Sequence, residues 1–261
     1  MDLNLKGKTA LVIASSQGLG KAVAKQLAEE GVNVMITSRD EEKLQRVQSE
    51  IQNLGVGNVA YYRADITKLE EIQSLVQYTQ ETFGKIDILI NNAGGPPAGK
   101  FEDMTDEDWQ KAFELNLLSY IRIIREVIPY LKKEGGRIIN IASSSIKQPI
   151  PGLILSNTFR LGIVGLTKTL SVELAPYNIL INTVGPGRIE TDRTKHLDQM
   201  NADKQGISLE EAASKAKQAI PLGRYGTPEE FAKIVTFLVS DASTYITGSS
   251  LLVDGGMVTS I

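Results

Sequence analysis

The chain of 261 residues contains no cysteine. Disulfides, thiolate metal sites and cysteine nucleophiles are therefore excluded. Histidine occurs once, at His196, so a histidine-rich metal centre has little to draw on, and no metal is expected. Charge of neither sign dominates: 28 Lys and Arg against 31 Asp and Glu leave a net −3, with no basic surplus for a nucleic-acid backbone. No apolar run approaches the roughly 18 residues that a membrane span requires. Met1-Asp2-Leu3-Asn4-Leu5-Lys6 lacks the basic-then-apolar order of a signal peptide. The expectation is a cytoplasmic protein that binds neither nucleic acid nor membrane.

What is present is a core-building composition, 42 % hydrophobic, arranged in a regular alternation. Continuous short apolar runs predict strands at Thr9–Ala14, Val32–Thr37, Val59–Arg63, Ile86–Ile90, Gly136–Ile141, Leu180–Val184 and Ser250–Val253. Unbroken apolarity marks strands buried on both faces of a parallel sheet. Between them the pattern predicts helices at Lys21–Glu30, Glu41–Leu54, Leu69–Phe83, Asp106–Leu131, Ser156–Ala175 and Pro228–Ser240. Ser38 or Asp40 can cap the second helix and Thr67 the third, while Thr227-Pro228-Glu229-Glu230 supplies a cap, a proline and first-turn acids for the last. Strands alternating with helices imply an α/β fold: a doubly wound, Rossmann-like parallel seven-stranded sheet with helices on both faces, in a single domain over residues 1–261. One segment breaks the rhythm. Residues 191–222 are polar, carry His196 and hold a helical pattern at Leu209–Ile220, which predicts a mobile helical lid.

Ligands bind at the carboxyl ends of strands in such sheets. The first predicted strand runs into Ser15-Ser16-Gln17-Gly18-Leu19-Gly20. Gly18 and Gly20 let backbone N–H groups approach an anion at the start of a helix, although a tight turn uses glycine for sterics alone. After the second strand stand Ser38 and Arg39, where an acid would hold a ribose diol. A neutral residue followed by a cation suits a 2′-phosphate, favouring NADP(H) over NAD(H); the alternative is an ordinary exposed charge. The third strand ends in Asp65-Ile66-Thr67 and the fourth in Asn91-Asn92-Ala93-Gly94-Gly95, two amides and small residues that let backbone hug a flat ligand.

These segments, with Asn116, Asn140–Ser143, Val184-Gly185-Pro186-Gly187, Ile189, Thr191 and Asp254-Gly255-Gly256, resemble the short-chain dehydrogenase/reductases, above all the 3-oxoacyl-acyl-carrier-protein reductases, over essentially the whole chain. The resemblance implies a nicotinamide cofactor touching Gly18, Leu19, Asp65, Asn91, Ala93, Pro186, Gly187, Ile189 and Thr191, with Ser15, Gln17, Gly20, Ile66 and Gly94 in the same segments. It also implies a homotetramer or homodimer paired through the helices Asp106–Leu131 and Ser156–Ala175. Ala14 stands where the family has a loop glycine, a strained substitution if the backbone there has φ > 0.

The resemblance further implies a catalytic Asn, Ser, Tyr and Lys. Asn116 and Ser143 match the first two; Ser156 and Arg160 fall in register with the Tyr and Lys. Reducing a ketone requires a proton for the forming alkoxide. A phenol of pKa near about 10 is tuned by an adjacent ammonium, whereas an aliphatic hydroxyl is a far weaker acid. An arginine stays charged and cannot relay a proton, though its planar fork suits a carboxylate, a phosphate or ribose hydroxyls. Ser156 and Arg160 could form an anion clamp facing the nicotinamide, with the proton from water held by Ser143 and Asn116 or from His196. Alternatively, Ser156 is a helix cap, Asn116 an interior amide, His196 a surface residue, and Trp109, Phe113 and Leu117 core or subunit contact. Three functions compete: an NADP(H)-dependent carbonyl reductase acting on a 3-oxoacyl-like small molecule, a non-catalytic dinucleotide binder, and a lyase or isomerase on the same fold.

Overall fold

In the computed structural model, which describes residues 2–54 and 56–260, seven parallel strands form one sheet in the order β3-β2-β1-β4-β5-β6-β7. The strands are β1 (Thr9–Val12), β2 (Asn33–Ser38), β3 (Val59–Arg63), β4 (Ile88–Asn91), β5 (Gly136–Ile141), β6 (Ile179–Pro186) and β7 (Ser250–Val253). Strand order reverses between β1 and β4, which pair in register from Ala10↔Ile88 to Val12↔Ile90. Such a switch point opens a crevice at the strand carboxyl ends.

Alternation along each strand feeds two cores. Ala10, Val12, Val34, Ile36, Ile88 and Ile90 face one layer, with Val23 and Leu27 of α1 (Gly18–Glu29), Leu44 and Val47 of α2 (Glu41–Gln52), and Phe231 and Val235 at the carboxyl-terminal side. Leu11, Ile13, Met35, Leu89 and Ile138 face the other, with Ile72 and Leu75 of α3 (Leu69–Phe83). Each fully buried large apolar side chain stabilises the fold by about 1.5–3 kcal/mol.

The long predicted helix at Asp106–Leu131 is not continuous. It consists of α4 (Asp106–Phe113), a π-helical turn over Glu114–Leu118 and α5 (Ser119–Leu131). The long helix α6 (Ile154–Leu174) begins two residues before Ser156; Leu153 holds the cap position and no side chain caps it. Ser156 therefore lies inside the first turn and is not the helix cap. Thr67 does not cap α3 either: the cap position is Lys68, and Thr67 donates its hydroxyl to Asp65 Oδ1 at 2.8 Å. Asp40, not Ser38, caps α2 through the Lys43 N–H.

The lid holds two helices, α7 (Asp192–Gln205) and α8 (Leu209–Gln218), ahead of α9 (Pro228–Val239). Only the second carried a periodic signal. The segment Asp192–Gln205 is polar on nearly every face, and its helix is fixed by capping at both ends, with Thr191 accepting from Thr194 N–H and Gly206 left-handed at φ 65°. No helix among the described residues is long and apolar enough to cross a membrane.

Candidate active site

A cleft of ≈ 1570 Å³ opens over the carboxyl ends of β1 to β6, roofed by α7 and α8. Of the sequence-predicted residues, Gln17, Gly18, Leu19, Ser38, Arg39, Asp65, Ile66, Ala93, Gly94, Ser143, Ser156, Arg160, Pro186, Gly187, Ile189 and Thr191 line it. Ser15, Gly20, Asn91 and Asn116 lie behind the wall, and each has a structural cause for being there.

The hydroxyl of Ser15 donates to Val12 O at 2.8 Å and accepts from Thr37 N–H at 3.0 Å, fastening the end of β1 to β2. Gly20 is a packing glycine: a Cβ there would stand 2.4 Å from Ala14 O and 2.9 Å from Asn92 Nδ2. Asn91 is fully buried and starts a chain of side chains across the sheet. Its Nδ2 donates to Asn140 Oδ1 (2.9 Å), Asn140 Nδ2 donates to Thr167 Oγ1 (2.9 Å), and Thr167 meets Thr183 Oγ1 (2.9 Å), so β4, β5, α6 and β6 are tied together just beneath the floor. Asn116 sits in the π-helical turn, its Nδ2 on Ala112 O at 3.2 Å and its buried Oδ1 without a partner; its neighbour Leu115 is the residue that reaches the cleft.

The loop after β1 has the features of an anion cradle. Ala14 takes φ 50°, and its carbonyl accepts from Asn92 Nδ2 at 3.2 Å. Gly18, at φ 58°, faces open space, with Thr191 Cγ2 the nearest atom to a built Cβ at 3.9 Å. The first turn of α1 carries no acid and no side-chain cap, so its N–H donors and positive dipole end have no internal anion. At the β2 end Arg39 is exposed, and Lys43 reaches Gln17 Oε1 at 3.3 Å and Asp40 at 3.4 Å. Burial opposes the charge of Asp65, but hydrogen bonds from Thr67 and the positive charges of Arg39 and Lys68 hold its carboxyl below the ordinary value. These donors and this open glycine fit a dinucleotide carrying a 2′-phosphate. Sequence reasoning passed over Lys43, for which the basic residue one turn into α2 was the available signal.

Deeper in, Ser143 Oγ accepts from Ser145 N–H at 3.1 Å. Ser156 and Arg160 are one helical turn apart on α6, and both are buried. Arg160 is not free to serve only as a clamp. Its Nη1 donates to Ile141 O (2.9 Å) and to Tyr120 Oη (3.1 Å), and its Nη2 donates to Ala93 O (3.3 Å). Tyr120 in turn donates to Ile141 O at 2.8 Å. Burial pushes the Tyr120 phenol up, with the Arg160 charge working against that shift. Tyr120 is fully buried beneath the site, and none of the described residues lining the cleft is a tyrosine.

From the roof, α7 contributes Arg193, whose Nη2 donates to Pro96 O at 3.0 Å, and His196, which lines the cleft but is exposed. The roof is anchored where Asp198 of α7 accepts from Arg188 and, at 2.7 Å, from Tyr225 Oη. Burial and the carboxylate of Asp198 push the Tyr225 phenol up to about 12.

A sequence model described as enoyl-(acyl carrier protein) reductase matches residues 13–258. The chain is 35 % identical to a 3-oxoacyl-[acyl-carrier-protein] reductase of Thermotoga maritima over 257 residues, 98 % of this chain and 100 % of the relative. It is 36 % identical to the enzyme of that name from Vibrio cholerae, covering 98 % and 99 %. Among solved structures it superposes on an actinorhodin polyketide ketoreductase with NADPH at a TM-score of 0.92 and 34 % identity, covering 96 % and 97 %. It superposes on the L-sorbose reductase of Gluconobacter frateurii complexed with NADPH and L-sorbose at 0.95 and 29 %, covering all of both chains. With the β1–β4 crevice, the open Gly18 turn and this agreement along its whole length, the chain belongs to the short-chain dehydrogenase/reductase family.

Proposed function

We propose that this chain is an NADP(H)-dependent reductase of a carbonyl compound, 3-oxoacyl-like in its reacting part, that works without the family's phenol. One observation carries the reading: the Gly18 turn, Asp65 and Pro186–Thr191 share a single cleft with Ser143, Ser156 and Arg160. Bound NADPH would supply the hydride. The chain's own residues supply the rest. Gly18, Leu19 and Thr191 would hold the diphosphate, and Arg39 with Lys43 the 2′-phosphate. The hydroxyls of Ser143 and Ser156 would donate to the carbonyl oxygen as negative charge builds there, and the fixed positive charge of Arg160 beneath would lower the energy of that charge. The alkoxide would take its proton from water or from His196 on the lid, because neither a serine hydroxyl nor an arginine is a competent acid.

A non-catalytic dinucleotide-binding role is the second reading. It is favoured by the engagement of Arg160 with two backbone carbonyls and Tyr120, which is a bracing role independent of any substrate. Fluorescence titration with NADPH and NADH, followed by a carbonyl panel monitored by loss of NADPH absorbance, separates the two. The reductase reading expects tighter binding of NADPH and turnover of at least one carbonyl; binding without turnover on the whole panel supports the second. Installing Ser156→Tyr with Arg160→Lys should raise turnover of simple ketones, and no gain counts against the altered proton path.

A further inference from the structure

Two guanidinium groups converge on one four-residue turn. Arg160 reaches Ala93 O from α6 at 3.3 Å, and Arg193 reaches Pro96 O from α7 at 3.0 Å. Between those carbonyls lies Gly95, where a built Cβ would stand 3.0 to 3.1 Å from Nη2, Cζ and Nε of Arg193. The lid arginine is thus seated flat on a glycine that has no side chain to keep it away. Among the described residues neither arginine makes an ion pair, whereas Arg188 in the same cleft is paired with Asp198. Arg160 is only 5 % exposed, and its buried Nε has no hydrogen-bond partner. The imbalance extends to the whole cleft: seven lysines and arginines line it against four aspartates, in a chain whose net charge is −3.

Like charges held together in a partly desolvated site are unfavourable unless an anion joins them. Arg193 keeps an exposed edge, and the desolvation of the rest of its guanidinium, followed by the charge of Arg160, lowers its pKa from the ordinary value. We infer that the substrate carries a free carboxylate, bound between Arg160 and Arg193 over the Ala93–Pro96 turn, so that the compound reduced is a short oxo acid and not a carrier-bound thioester. This rests on the reductase reading above. A carboxylate fits because the planar fork of an arginine matches its two oxygens, and Gly94, where a built Cβ would meet nothing within 4 Å, leaves open space beside the Arg193 guanidinium. The diphosphate of the cofactor is the competing anion, but its cradle is the Gly18–Leu19 turn at the start of α1.

The test uses the full chain with saturating NADPH and a panel of short 2-, 3- and 4-oxo acids, each beside its methyl ester, with acetoacetate and methyl acetoacetate as the first pair. The best acid should exceed its ester in kcat/KM by about tenfold or more, the scale of a hydrogen bond to a charged group. Arg193→Gln should collapse that ratio toward one through a higher KM for the acid, and Arg193→Lys should restore part of it. An ester reduced as well as its acid overturns the inference and leaves the reductase reading standing. So does an Arg193→Gln variant that loses NADPH affinity in step with acid affinity, since the guanidinium would then belong to the diphosphate. If no compound is reduced, binding of acetoacetate to the NADP+ complex, followed by thermal shift, still decides. Arg193-dependent binding supports the carboxylate site and no acid binding overturns it, while the reductase reading is decided separately by the wider carbonyl panel.

Discussion

Ala14 holds a left-handed backbone at φ 50°, a conformation that costs an L side chain about 1–2 kcal/mol relative to glycine. The carbonyl of the same residue is gripped by Asn92 and crowded by Gly20, so the turn cannot relax. Ala14→Gly should raise unfolding free energy by about 0.5–1 kcal/mol, the strain relieved less the extra entropy of an unfolded glycine, measurable by urea denaturation. Arg39 is an exposed cation at the β2 end, beside Lys43 and near Asp65. Arg39→Asp should weaken NADPH binding by about tenfold or more and move preference toward NADH, read by paired fluorescence titrations. Arg160 braces the ends of β4 and β5 against α6. Arg160→Met would leave two carbonyls and the Tyr120 hydroxyl short of a donor, and should cost about 1–3 kcal/mol of stability. That cost, found with or without cofactor, would separate its bracing from any role in binding.

At the scale of elements, the π-helical turn at Glu114–Leu118 is the least legible feature of the chain. The apolar pattern of Asp106–Leu131 is compatible with an unbroken helix and does not mark the π turn, whose Leu117 packs on α6 with its Cδ2 3.0 Å from a Cβ built on Gly162. The start of α9 was legible, because a capping box is a local device: Thr227 and Glu230 satisfy each other's backbone N–H groups without help from elsewhere. Glu230 also meets Arg224 at 2.7 Å, and that ion pair with the Thr227 N–H lowers its carboxyl to about 2. A carboxyl depressed on folding contributes stability that is complete above its unfolded value and is lost as pH falls through the folded one. The stability difference between the wild type and Glu230→Gln should therefore be constant above pH about 4.5 and vanish toward pH 2. A difference that persists unchanged at pH 2 would place the effect elsewhere than in this ionisation.

At the scale of the molecule, the outer face of α6 presents Leu161 at 55 % and Val172 at 74 % exposure, with Gly165, where a built Cβ would meet nothing within 4 Å, between them. A face of exposed aliphatics and small residues on a long helix suits packing against a second copy of itself. Light scattering should give a multiple of 28.4 kDa, and Leu161→Glu should reduce it; a mass of one chain would reject the expected dimer or tetramer.

The sequence by itself determined the order of strands and helices, the doubly wound layering and most of the cleft wall. Those follow from local rules: apolar runs of strand length, caps, and short motifs such as Gly18–Gly20 and Pro186–Thr191 at strand ends. Tertiary structure alone decided which members of each motif face the ligand. Ser15, Gly20 and Asn91 sit in the right segments, but their side chains or bare Cα atoms are claimed by neighbouring strands through hydrogen bonds and close contacts. It also decided that Arg193 and Arg160 would reach the same Ala93–Pro96 segment. Residues 33 apart on different helices come together only when the lid folds back over the sheet, and no periodicity records a contact made by chain return.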